Sequence, residues 1–254
     1  MLRKASSLFG FSLYTKDNEE LGSIHDFYFD REDWKVRYLV ADIGAWLFGR
    51  RVLIATPALG APLWENEVLP VDLTKAQVKE SPDIDLAQPV TRRHETELTG
   101  YYGWPGYWMT PMVAPTAGVA PAVAPRGARD PGLPEEVVEG LQNAEESYIH
   151  SMRDTQGYSI EATDGDIGHI DDFFVDDQDW VIRYLLIDTG NWLPGKKVLI
   201  SPGWVNSVDW HDGRIYVEVP KARVENSPEY DPGGPLERTY ERDLHRHYGY
   251  PTYW

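Results

Sequence analysis

The chain repeats itself. Residues 21–54, LGSIHDFYFDREDWKVRYLVADIGAWLFGRRVLI, return without a gap at 167–200 as IGHIDDFFVDDQDWVIRYLLIDTGNWLPGKKVLI, so that Gly22 falls on Gly168 at an offset of 146 residues. The register holds downstream, where Val71, Lys75, Ala76, Val78, Ser81 and Pro82 fall on Val217, Lys221, Ala222, Val224, Ser227 and Pro228. It holds at the ends as well: YYGWPGYW at 101–108 aligns with HYGYPTYW at 247–254. Upstream, GFSLY at 10–14 faces GYSIE at 157–161 after a slip of one residue. Self-similarity at a fixed offset means a duplicated structural unit, here of about a hundred residues.

Within a unit the reading is mostly β. Ile24, Phe27 and Phe29 lie near the apolar positions of one strand, and Val36, Tyr38 and Val40 give the next a period-two face. Val52–Ile54 and Val198–Ile200 are short apolar runs, and IYVEV at 215–219 alternates. Asp30–Asp33 and Asp176–Asp179 supply turns in which Asp side chains bond the local backbone. Many short strands between such turns favour a small closed or nearly closed barrel, which removes exposed edges. Helix is expected in the tails, where Val90, His94, Leu98 and Tyr102, and Leu236, Tyr240, Leu244 and Tyr248, recur every four residues. The expected organisation is a first unit with a helical aromatic tail (1–108), a Pro/Ala-rich linker (109–134), a short helical lead-in (135–150) and a second unit with its tail (151–254).

Composition narrows the function classes. Hydrophobic residues at 42%, with 10 Trp and 15 Tyr, supply packed cores. A formal charge of −17 repels phosphate backbones and disfavours direct nucleic-acid binding, leaving basic or neutral partners. With no Cys there is no disulfide framework and no thiolate ligand or nucleophile, which fits a reducing compartment. The apolar stretch Leu8–Leu13 is too short for a signal-peptide core, and prolines at 105, 111, 115, 121 and 125 interrupt the uncharged run 98–125, so a cytoplasmic chain without a membrane span is expected.

The twice-repeated Gly-Xaa-Ile-Xaa-Asp-Phe start, Trp-Xaa-Xaa-Arg-Tyr-Leu strand and Gly-Xaa-Trp-Leu loop before a basic pair resemble the PRC-barrel family, most clearly at 164–202 and in a more diverged form at 17–57. The resemblance implies two small β-barrels like the cytoplasmic domain of the photosynthetic reaction-centre H subunit and the C-terminal barrel of ribosome maturation factors. Both work by docking onto other macromolecules. It therefore implies a non-catalytic interaction or assembly module, with docking to membrane electron-transfer complexes of the photosynthetic reaction-centre kind as the expectation. The other readings are a ribosome-associated factor, which the acidic charge opposes, and a small-molecule carrier or an unrecognised enzyme.

Candidate contact residues follow. Trp46 and Trp192 sit after Gly in loops, either capping their own barrels or anchoring an interface. Arg50-Arg51 and Lys196-Lys197 are basic pairs in an acidic chain, suited to an anionic surface or to protecting an edge strand. Tyr107-Trp108 and Tyr253-Trp254 end the aromatic tails. Arg37 and Arg183 are expected to pair with Asp42 and Asp188. The acidic clusters Asp171-Asp172 and Asp176, Asp177, Asp179 lack the spacing of a calcium loop and read as solvated turns. His245 and His247 would diverge on a helix, and no nucleophile elbow, phosphate loop or dinucleotide fingerprint occurs, so neither metal, cofactor nor catalytic residue is assigned. The expected partner is a protein, with the two barrels pairing inside the chain or between copies.

Overall fold

The computed structural model describes residues 1–44, 49–108, 146–190, 192–231 and 235–254. Trp46, the expected linker and residues 135–145 of the expected lead-in lie outside them. The first copy contributes β1 (Leu2–Lys4), β2 (Ser12–Thr15), β3 (Glu20–Asp30), β4 (Val36–Asp42), β5 (Arg51–Ala55) and β6 (Val68–Val71). The second contributes β7 (Ile149–Ser151), β8 (Ser159–Ala162), β9 (Gly165–Asp176), β10 (Ile182–Asp188), β11 (Lys197–Ile200), β12 (Val205–Asp209) and β13 (Arg214–Val217). The last two residues of the expected helical lead-in, Ile149 and His150, are thus strand.

The architecture is mainly β, two sheets with short helices. One sheet runs β5-β4-β3-β2-β6 and the other β11-β10-β9-β8-β13-β12, the β2–β6 and β8–β13 pairs being parallel. Among the described residues each ladder is open, ending on β5 and β6 in one sheet and on β11 and β12 in the other. Met1–Lys79 and Ile149–Trp254 form one compact unit, and Glu80–Tyr148 another. The latter carries the helix Arg92–Tyr102, opened by Thr91 and His94 as reciprocal caps and closed by Gly103 in the left-handed region at φ 73°.

The two copies exchange strands. β1 pairs with β9 of the second copy, Leu2 opposite Asp176 and Lys4 opposite Phe174. β7 pairs with β3 of the first, Ile149 opposite Asp30 and Ser151 opposite Tyr28. A buried carboxylate pins each exchanged segment. Asp26 accepts from Ser151 Oγ at 2.5 Å and from the Arg153 N–H at 3.3 Å. Asp172 accepts from the Ser6 hydroxyl and, at 3.2 Å, from the Ser6 N–H. Each also accepts the N–H of the following Phe, at 2.7 Å for Phe27 and 2.8 Å for Phe173. Asp172, expected in a solvated turn, is therefore buried, because a bound segment covers it; Asp176 is buried too.

The strands are apolar on both faces where they cross the core: Val36, Tyr38, Leu39, Val40 and Ala41 of β4 are all buried, as are Ile182, Tyr184, Leu185, Leu186 and Ile187 of β10. The repeated Gly-Xaa-Ile motif now has a steric cause. Gly22 and Gly168 have φ of +148° and +124°, and a Cβ on them would lie 2.1 Å from the Asp42 carbonyl oxygen and 2.0 Å from that of Asp188. Backbone cannot yield as a side chain can. Gly168→Ala is expected to cost about 3 kcal/mol or more in urea denaturation. Gly10→Ala, at φ +87° but with open space around the new methyl, is expected to cost only about 1–2 kcal/mol.

Candidate docking site

The turns between β3 and β4 and between β9 and β10 meet at a pseudo-twofold axis. Asp30 Oδ1 accepts the N–H groups of Glu32 (2.7 Å) and Asp33 (3.1 Å), and Asp176 Oδ1 that of Gln178 (3.2 Å). Each turn ends on a tryptophan in the left-handed region, Trp34 at φ 53° and Trp180 at φ 58°. For a bulky side chain this conformation is costly, on the order of 1–3 kcal/mol. It turns the two carbonyls towards the opposite copy. Trp34 C=O accepts the Ile182 N–H at 2.9 Å, and Trp180 C=O accepts the Val36 N–H at 2.8 Å. Lys35 and Val181 form a bridge between them. Phe29 joins the copies beside this point, its ring 5.3 Å from Trp34 and 5.9 Å from Phe173.

Next to the axis lies an open groove of about 620 Å³. Glu32, Trp34, Arg183, Asn206, Trp210 and Tyr253 are among its walls, and β12 forms one side. The floor is held by stacking: His150 of the exchanged strand lies 3.7 Å from Trp210, nearly parallel to it, and Trp210 lies 6.1 Å from Trp34. In the first copy Arg3 and Trp64 make the corresponding contact, a guanidinium 4.4 Å above the ring. Each exchanged strand thus gives its backbone to the other copy and its middle side chain to its own.

Tyr253 reaches the groove from the tail. Its hydroxyl donates to Glu241 at 2.7 Å and accepts from Arg238 at 2.6 Å, while Arg183 stacks on its ring at 4.3 Å. Glu241 is buried; the Tyr184 hydroxyl lies 3.1 Å from it and 2.9 Å from His245 Nε2. His245 Nδ1 faces the Pro251 carbonyl at 2.7 Å, which sets Nδ1 as the protonated nitrogen. Burial holds the His245 pKa below the ordinary histidine value, and burial followed by the Glu241 charge raises that of Tyr184. Both rings therefore stay neutral near pH 7, and the network holds Tyr253 and the tail in place. Sequence reasoning gave His245 no role and missed Glu241; the signal was the repeat itself, since Arg92 and Glu95 stand where Arg238 and Glu241 do.

The other expected contact residues disperse. Trp192 is half-buried with Lys221 Nζ 4.6 Å above its ring. Lys196 Nζ donates to the carbonyls of Glu225 (2.5 Å) and Ser227 (3.1 Å), and Lys197 pairs with Asp171 at 2.6 Å. Arg51 lies opposite Asp42 in the β4–β5 ladder, with Arg50 just before it. Tyr107 and Trp108 pack on Arg92, at 5.0 and 4.2 Å, as Tyr253 and Trp254 pack on Arg238, at 5.2 and 4.5 Å. Of the expected contact residues that are described, Tyr253 lines the groove. Arg37 and Arg183 do not pair with Asp42 and Asp188, which lie five residues, about 16 Å, further along the strand; each arginine sits at a break in register that the pairing with β3 or β9 skips. Arg37 pairs instead with Asp33 at 2.8 Å and Arg183 with Asp179, in the preceding turns. Among the described residues no cluster of His, Asp and Glu is arranged to hold a metal.

A family profile for the PRC-barrel domain matches residues 2–69 and 145–224, more than half of the chain. The chain belongs to the PRC-barrel family. No curated protein matches it at a significant level. Both PRC-barrel matches include the exchanged strands β1 and β7, and both stop short of the aromatic tails. PRC-barrel domains support a function of the protein-interaction or assembly kind. No helix among the described residues is long and apolar enough to cross a membrane.

Burial, with the Arg31 charge adding and Asp30 opposing, lowers the His150 pKa to about 4 from an ordinary 6.5. The unfolded chain therefore takes up this proton first, and the contribution of His150 is full above pH 6.5 and lost as pH falls towards 4. Burial raises Asp26 and Asp172, which act in the opposite sense, favouring the fold as they protonate. Comparison with His150→Phe isolates the histidine. Between pH 7 and 4.5 the parent is expected to lose about 2 kcal/mol more than the variant in urea denaturation, after allowing for solvent screening.

Proposed function

We propose that the chain is a non-catalytic adaptor, in which two PRC barrels fused by strand exchange present one groove to a protein partner. The observation that carries this reading is the groove beside the pseudo-twofold axis, where the half-buried Trp210 and Tyr253, backed by the buried Trp34, line an open surface between charged rims. Aromatic side chains give large contact area at low entropic cost, the character of binding hot spots. Among the ionisable groups with shifted pKa values, His150, His245, Tyr184 and the two buried aspartates are engaged in packing and hydrogen bonds within the chain.

The resemblance to the reaction-centre H-subunit domain directs the choice of partner to membrane-bound electron-transfer complexes, approached from the cytoplasmic side. The −17 charge suits basic or neutral protein surfaces and opposes direct contact with RNA. A photo-crosslinking amino acid at Asn206, on the wall of the groove, tests this. Irradiation with the membrane fraction of the source cells is expected to give discrete adducts with subunits of such complexes, and the same group at exposed Leu63 of the first copy is expected to give none. Equal adducts from both positions, or adducts confined to ribosomal proteins, would overturn the reading.

A further inference from the structure

The groove wall is a sheet edge. Among the described residues β12 ends its ladder, pairing with β13 from Val205 opposite Val217 to Asp209 opposite Arg214. Asn206 and Ser207 are exposed, and Asn206 is skipped by the pairing. Such an edge is a template for another strand unless something blunts it.

The first copy shows what blunting looks like here. The repeat places Leu59, Gly60, Ala61, Pro62 and Leu63 where β12 has Val205, Asn206, Ser207, Val208 and Asp209. Only the outermost pairings survive, Leu59 with Val71 and Leu63 with Val68. Pro62 has no N–H to give, nor has Pro70 on the neighbouring strand, and Gly60 N–H is taken by the Pro70 carbonyl at 2.8 Å. The segment between them forms no strand. One duplicated unit thus carries the edge twice, closed in the first copy and open in the second.

Resting on the docking reading above, we propose that β12 is a strand-addition site, and that its occupant is an extended, basic segment of the partner protein. Main-chain pairing to β12 would supply affinity, and alternate side chains would meet Trp210 and Tyr253 in the groove. The charge of the occupant follows from the molecule. Exposed Glu32 stands on the rim, where Asp33 is paired with Arg37; of the two arginines in the wall, Arg31 and Arg183, the second is paired with Asp179; and the whole chain carries −17.

The test uses the full chain and a fluorescein-labelled heptapeptide of alternating lysine and valine, with a glutamate–valine heptapeptide as counter-probe. Anisotropy is expected to show saturable binding of the first, at least tenfold weaker binding of the second, and weakening with added salt. Hydrogen exchange is expected to slow at residues 205–209. Asn206→Pro, or Val208→Pro after the first copy, is expected to weaken binding at least tenfold. Glu32→Lys, which leaves the backbone intact, is expected to weaken it at least fivefold and guards against a proline variant that fails to fold. Equal binding of the two probes, or unchanged binding by folded proline variants, would overturn the proposal. The crosslinking experiment repeated on Asn206→Pro with the photoreactive group at Ser207 separates the two readings. Partner adducts that persist there sink strand addition and leave docking standing, whereas specific peptide binding without partner adducts in the parent chain does the reverse.

Discussion

Everything in the larger compact unit depends on the reciprocal exchange of β1 and β7. A small sheet of five or six short strands buries little on its own. Here each sheet receives one strand from the other copy, and the carboxylates of Asp26 and Asp172 make the acceptance specific. Seating the exchanged segment takes each carboxylate out of water, and the segment's hydroxyl and N–H groups offset that cost, so a segment without those donors would not be accepted. The tryptophan turns add the second tie, using backbone strain at Trp34 and Trp180 to send two carbonyls across the axis.

This construction is isologous in detail, yet it is not a perfect dyad. The Ser151 hydroxyl reaches Asp26 from the residue aligned with Lys4, while the hydroxyl on Asp172 comes from Ser6, two positions further along. A neutral histidine stacks on Trp210 where an arginine covers Trp64. The ties that fix the copies are kept in kind, while the side chains that face the groove have changed.

Much of this was legible in the sequence, and the reason is the repeat. Two aligned copies distinguish positions fixed by geometry from positions free to vary: Gly22 and Gly168 recur because only glycine leaves room for the carbonyls of Asp42 and Asp188. β3, β4 and β5 were legible as apolar runs between turns. What stayed hidden was long-range. β1 and β7 are three residues each, too short for a periodic signal, and Leu2–Lys4 does not resemble Ile149–Ser151. Their role exists only through partners some 170 and 120 residues away in the chain. Arg37 and Arg183 were misread for a local reason, since partners were sought along the strand when the preceding turn was nearer. The basic pairs and Trp192 looked like contact surface because exposure was inferred from residue type; Lys196, Lys197 and Trp192 have internal partners.

The duplication also explains why two copies should share one chain. In a homodimer made by the same exchange, symmetry would oblige both sheets to carry the same edge, open in both or blunted in both. Two open edges on one particle invite chain-to-chain pairing, and two blunted edges present no strand. Covalent fusion frees the copies to differ. The first has taken Gly60, Pro62 and Pro70 and lost its outer strand, while the second keeps Val205–Asp209 beside the aromatic groove. Fusion thereby lets a symmetric scaffold differ at this one edge, at the cost of holding two unlike sequences to one packing at the axis. Trp34 and Trp180, Val36 and Ile182, and Asp26 and Asp172 are the places where that packing left little room for change.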